Sequence, residues 1–130
     1  MELNNKVLVA DDELLIRWSL AEALSQEGYE VKAVEDGKKA LDAIRSENFD
    51  FVITDLMMPG MNGWEVLEWT KKFYPQAKVV IITAYGTEDV EIMAKEKGAC
   101  GYVEKPEIID KIKALLKGFC SNRSSYGTPN

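Results

Sequence analysis

Five times along this chain a short β-rich run is followed by a longer stretch whose apolar residues recur at helical spacing. The runs are Val7 to Ala10, Glu30 to Val34, Phe51 to Thr54, Val79 to Thr83 and Tyr102 to Glu104. Several are apolar throughout, as strands covered on both faces must be. Between them, Ile16, Leu20 and Leu24 mark one face of a first helix, Ala40, Leu41 and Ile44 a second, and Val66, Leu67 and Thr70 a third. The fourth, Glu88 to Lys97, is mostly charged, with only Val90, Ile92, Met93 and Ala94 apolar, so its hold on the sheet is expected to be the weakest. The fifth carries Ile109, Ile112, Leu115, Leu116 and Phe119. Asp36 and Thr87 stand where N-caps start helices, Gly28, Gly86 and Gly98 fall near element ends, and "PGMNG" at 59–63 reads as a turn. The pattern predicts an α/β domain with a doubly wound, five-stranded parallel sheet in the order 2-1-3-4-5 and right-handed crossovers.

A chain of 130 residues, 46% hydrophobic, supports one core of ordinary size and not two. The patterned domain is expected over 1–118, and the polar, unperiodic residues 119–130 as a flexible tail or linker stump. With no histidine, any phosphohistidine or imidazole base must come from a partner. A net charge of -6 without a basic cluster argues against direct nucleic-acid binding. The start "MELNNKVLVADD" has too short an apolar run for a signal peptide or a membrane span, so the expected location is cytoplasmic. Cys100 and Cys120 lack any metal or redox spacing, and neither is assigned chemistry.

In "VLVADDELL", residues 7–15, paired carboxylates stand at the end of a buried strand, where charge is costly. The predicted topology opens a crevice beyond the carboxyl ends of strands 1 and 3, and brings Asp55, closing the third strand, toward Asp11 and Asp12. Three carboxylates so placed do not all stay ionised without a cation. Only oxygen ligands are at hand, so the expected ion is hard and divalent, and Mg2+ fits best. Thr83, closing "VVIIT", adds a hydroxyl, and Lys105, closing "GYVEK", adds an ammonium. Singly, Asp12 reads as an N-cap, Thr83 as a strand residue and Lys105 as a solvated edge charge. Five such residues at the ends of four gathered strands read as a phosphoryl-binding site.

On these residues, and on "DLMMPGMNG" and "KP", the stretch from about Lys6 to Leu116 resembles the receiver domain of two-component response regulators. The flavodoxin-like receiver fold is implied. By the resemblance Asp55 is the phosphoacceptor, Asp11 and Asp12 the acidic pair, Thr83 and Lys105 the catalytic hydroxyl and lysine, and Thr83 with Tyr102 the switch pair. Met57 is then a metal ligand through its backbone carbonyl, beside Asp11, Asp12 and Asp55, and the Lys105-Pro106 peptide is expected to be cis. "ITAYGTEDV" and "KGACGY" look most like receivers of enhancer-dependent (NtrC-type) transcription activators or stand-alone single-domain receivers. Glu107 departs from the family, where Phe or Leu usually follows the Lys-Pro pair.

The resemblance implies a phosphorelay protein, not an enzyme beyond intrinsic autophosphatase activity. Asp55 takes a phosphoryl group from a histidine kinase or histidine phosphotransfer protein with Mg2+ bound. The fourth helix, fifth strand and fifth helix then change surface for an output domain or protein. Met57 and Tyr85, flanking the phosphoryl position, offer no group to orient water, which predicts slow self-dephosphorylation. An aspartyl-phosphate phosphatase of haloacid dehalogenase type is an alternative. It places its nucleophile in a DxD arrangement after the first strand, whereas Asp11 and Asp12 are adjacent. A flavin binder is a third reading, disfavoured by the acidic "DDELL" loop, which would repel a cofactor phosphate.

Overall fold

The computed structural model describes residues 6–84, 86–105 and 108–121, excepting the side chains of 119–121. Strands and helices alternate as the pattern requires: β1 (Lys6–Ala10), α1 (Leu14–Gln26), β2 (Glu30–Val34), α2 (Gly37–Ser46), β3 (Phe51–Asp55), α3 (Gly63–Phe73), β4 (Lys78–Thr83), α4 (Glu88–Glu96), β5 (Gly101–Glu104) and α5 (Ile108–Ser121). All strand pairs are parallel and the order is β2-β1-β3-β4-β5. The expected strands are present with ends shifted by at most a residue. α5 runs into the segment expected as a tail, while residues 122–130, Tyr85, Pro106 with its expected cis bond, and Glu107 lie outside the described residues.

Burial follows strand position. β1, β3 and β4 are almost wholly buried, whereas β2 and β5, at the two edges, are partly open. Alternate residues of the inner strands face opposite helical layers. Leu8, Val52, Val79 and Ile81 pack against Ala40, Ala43 and Ile44 of α2, Val66 and Leu67 of α3, and Ala94 of α4. Val7, Val9, Phe51, Ile53, Val80 and Ile82 pack against Leu20 and Leu24 of α1 and Ile108, Ile112 and Leu116 of α5. In α2 the buried stripe is completed by Ala43, with Leu41 only partly covered; in α5 it begins at Ile108, with Ile109 partly covered. α4 buries Ala94 alone, and Ile92 and Met93 are exposed.

Local chemistry sets the helix starts. The Asp36 side chain accepts from Lys39 N at 2.8 Å, and the Thr87 hydroxyl from Val90 N at 3.2 Å. Asn62 and Glu65 form a reciprocal capping box that starts α3 directly after the loop from Asp55.

Candidate functional site

Parallel pairing brings the carboxyl ends of the strands level. The register runs Ala10 to Thr54, Asp55 to Ile82 and Thr83 to Glu104, so Asp11, Asp55, Thr83 and Lys105 all emerge at one edge of the sheet. Asp11, Asp12 and Asp55 each present a carboxylate oxygen within 4.8 Å of the others'. Asp11 is fully buried, Asp55 nearly so, and Asp12 is exposed. The Lys105 ammonium reaches in from the end of β5, 2.9 Å from Asp55 Oδ2 and 3.1 Å from Asp11 Oδ2, and it also bonds Glu13 Oε1.

The backbone of Asp55 is held closely. Thr54 donates its hydroxyl to the Asp55 carbonyl at 3.0 Å, and the Met57 amide donates to Asp55 Oδ1 at 3.3 Å. Gly63, first residue of α3, lies so near that a Cβ there would stand 2.4 Å from the Asp55 carbonyl oxygen. Only glycine lets α3 start against the strand end. The Met57 side chain is 69% exposed at the loop surface.

The electrostatics express crowding. Burial pushes the Asp11 carboxyl above its ordinary value; the Glu13 backbone N–H opposes this, the charge of Asp55 adds to it, and Lys105 lowers it. For Lys105, burial acts to lower the ammonium's pKa, but the bonds to Glu13 and Asp55 and the charge of Asp11 outweigh it and hold the group protonated. Asp11 Oδ2 is buried and makes no hydrogen bond among the described residues, because Lys105 meets it as an ion pair without hydrogen-bond alignment. An unsatisfied carboxylate oxygen beside two more carboxylates fits a hard divalent cation.

Thr83 is buried at the end of β4. Its register partner is Glu104, and that of Tyr102 is Ile81, so Thr83 and Tyr102 are diagonal neighbours on one face of adjacent strands. The Tyr102 hydroxyl is buried, lies beneath Gly86, and has no hydrogen-bond partner among the described residues. Burial raises its pKa, and the carboxylates of Glu104 and Glu91 raise it further.

Asp11, Asp12, Asp55 and Lys105 therefore meet at this edge, with Thr83 at the end of β4 beside them and Tyr102 and the Met57 backbone adjoining. Sequence pattern does not single out the others. Glu13 lies in "DDELL" beside the acidic pair, with no motif role of its own. Arg17 Nη1 donates to the Asp11 carbonyl at 2.8 Å and secures the acidic loop. Leu14, Leu15 and Trp18 are 64%, 75% and 60% exposed on the side of α1 away from Leu20 and Leu24. Their signal was apolar residues off the buried stripe, immediately after the acidic pair.

The family model for the response regulator receiver domain matches residues 7–117. The chain belongs to that family. Receiver domains act in two-component signalling, where they are phosphorylated on an aspartate and interact with histidine kinases and phosphotransfer proteins; they are signalling domains, not enzymes in the ordinary sense. Sporulation initiation phosphotransferase F of Bacillus subtilis (strain 168) is 37% identical over 123 residues, covering 95% of this chain and 99% of that protein. The DNA-binding transcriptional regulator NtrC of Proteus hauseri is 36% identical over 124 residues, 95% of this chain but only 26% of NtrC, so the receiver spans about a quarter of that relative's length. A response regulator protein from Burkholderia pseudomallei, solved with a phosphorylated aspartic acid, calcium ion and citrate, superposes with a TM-score of 0.81 at 26% identity, over 93% of this chain and 71% of that one. The receiver fold is thus both observed and shared. Among the described residues no helix is long and apolar enough to cross a membrane.

Proposed function

We propose that this receiver accepts a phosphoryl group on Asp55 from a partner's phosphohistidine and converts it into a change at the surface formed by α4, β5 and α5. The observation that carries the reading is Lys105, whose ammonium stands 2.9 Å from Asp55 Oδ2 within a cluster of three carboxylates at the strand ends. Asp55 attacks phosphorus in line; the P–N bond breaks, and its electron pair returns to the partner's imidazole. Lys105 neutralises charge on the transferred group, and the Thr83 hydroxyl donates to it. Asp11, Asp12, Asp55 and the Met57 carbonyl would hold Mg2+, which when bound supplies charge stabilisation for the phosphoryl oxygens. Movement of Thr83 toward the phosphoryl group vacates space on the face it shares with Tyr102, which follows inward.

Two surfaces support the coupling. Leu14, Leu15 and Trp18 border the acidic loop and offer an apolar footing to the phosphodonor protein. A groove of about 740 Å³ between α4 and α5, lined by Glu91, Ile92, Tyr102 and Leu115, lies on the switching side and suits an output domain or protein. The relative with NtrC's architecture favours an attached output region, and the Bacillus relative a stand-alone relay. The exposed thioether of Met57 orients no water, so the acyl phosphate decays slowly without a partner phosphatase or reverse transfer. The test is acetyl phosphate with Mg2+: one phosphoryl group adds to the wild type and none to Asp55→Asn. Equal labelling of the Asn variant overturns the assignment.

A further inference from the structure

The three carboxylates that meet the Lys105 ammonium are not alike. Asp11 and Asp55 are buried and belong to the cluster fit for a cation; Glu13 stands outside that cluster, and its side chain is 57% exposed. Glu13 also occupies the N-cap of α1, with φ −89° and ψ 115°, where a side-chain oxygen ordinarily accepts an N–H of the first turn. Its side chain makes no capping bond among the described residues. Its backbone N–H instead donates to Asp11 Oδ1 at 2.8 Å, and its carboxylate turns across to Lys105. Thus the residue grips the site at both ends, and the helix start forgoes its cap.

An ammonium has three protons to donate, and here three carboxylates compete for them. A phosphoryl group arriving on Asp55 needs the same ammonium, so Lys105 must release a partner. Asp11 is wholly buried and, unless Mg2+ takes the ammonium's place, would be left without compensation, which is costly. Glu13 is already half in water and loses least on release.

We propose that Glu13 is a positioning residue for phosphoryl transfer: in the resting state its carboxylate stands in for the phosphoryl anion, holds Lys105 in the crevice, and is displaced when Asp55 is phosphorylated. The inference rests on the phosphoacceptor reading of Asp55. It makes Glu13 a brake, because its bond stabilises only the unphosphorylated form.

Two substitutions separate the bond from the bare charge. Glu13→Gln removes the charge; Glu13→Asp keeps it but is one methylene too short to reach Lys105. In the full chain with Mg2+, the affinity for beryllofluoride, a phosphoryl mimic, is measured by NMR titration. Both variants are expected to bind it about three- to fivefold more tightly, the scale of a half-exposed ion pair. In metal-free protein, both should move the Lys105 side-chain Cε and Hε resonances, which a residue serving only α1 would leave in place. Wild-type affinity in both variants overturns the proposal. So does tighter binding in Glu13→Gln alone, which would assign the effect to the general field of the charge. A wild type that takes up neither beryllofluoride nor a phosphoryl group overturns the phosphoacceptor reading, and this one with it.

Discussion

At the scale of single residues, the site is a place where repulsion is stored. Burial, and beside it the charge of Asp55, hold the Asp11 carboxyl above the ordinary value of 3.8, and one of its oxygens makes no hydrogen bond among the described residues. A carboxyl with a raised folded-state pKa favours folding when protonated. Its contribution is present below the unfolded pKa and is lost as pH rises through the folded one. Asp11→Asn keeps the acceptor used by the Glu13 amide and removes the charge. In chelator-containing buffer at pH 7, the variant should be more stable than wild type by about 1–2 kcal/mol, and the gap should shrink as pH is lowered toward 4. Thermal melts across that range check both parts; a gap independent of pH would show that the charge of Asp11 is not its source.

At the scale of elements, α1 and α4 depart from the pattern of a helix with one buried face. α1 is apolar on its outer side as well, through Leu14, Leu15 and Trp18. If that side receives the phosphodonor protein, Leu15→Glu should slow transfer from a phosphohistidine partner at least tenfold, while labelling by acetyl phosphate stays within twofold of wild type. Parallel loss of both rates would place the defect in the crevice and not in docking. α4 has the opposite property, since Ala94 alone is buried and Val90 only partly packed. Its amides should exchange with solvent before those of α3, whose capping box and buried Val66, Leu67 and Thr70 fasten it to the sheet. Hydrogen exchange followed by mass spectrometry reads the order directly, and equal protection of the two helices would contradict it. In the proposed switch, weak attachment would let a small displacement near Thr83 be read at a distance.

At the scale of the whole molecule, the sheet is both the core and the ruler that aligns the site. Phe51 is fully buried on the face under α1 and α5, and its ring meets Tyr29 edge-on at 6.2 Å between centroids. Phe51→Ala should cost about 3–5 kcal/mol in denaturant unfolding. Because β3 also carries Asp55, the folded fraction should still accept a phosphoryl group if the register is kept. Loss of labelling in protein shown to be folded would mean that Phe51 sets the position of Asp55 as well as its stability.

Much is legible in the chain itself. Strand and helix alternate with periods set by backbone geometry, and buried strands must be apolar on both faces, so order and layering follow from pattern. Asp11, Asp55, Thr83 and Lys105 could be gathered because parallel strands necessarily present their carboxyl ends on one side. What a linear pattern does not carry is distance between side chains from different elements. That Lys105 bonds Glu13 as well as Asp55, that Arg17 pins the acidic loop, and that Gly63 abuts the Asp55 carbonyl depend on how α1, α3 and β5 pack around the sheet. The apolar stripe of α1 names its buried face, but only packing decides that Leu14, Leu15 and Trp18 stand exposed. Hydrophobic periodicity is local and survives in one dimension; ion pairing and close approach are set by the three-dimensional meeting of segments, and only the tertiary structure decides them.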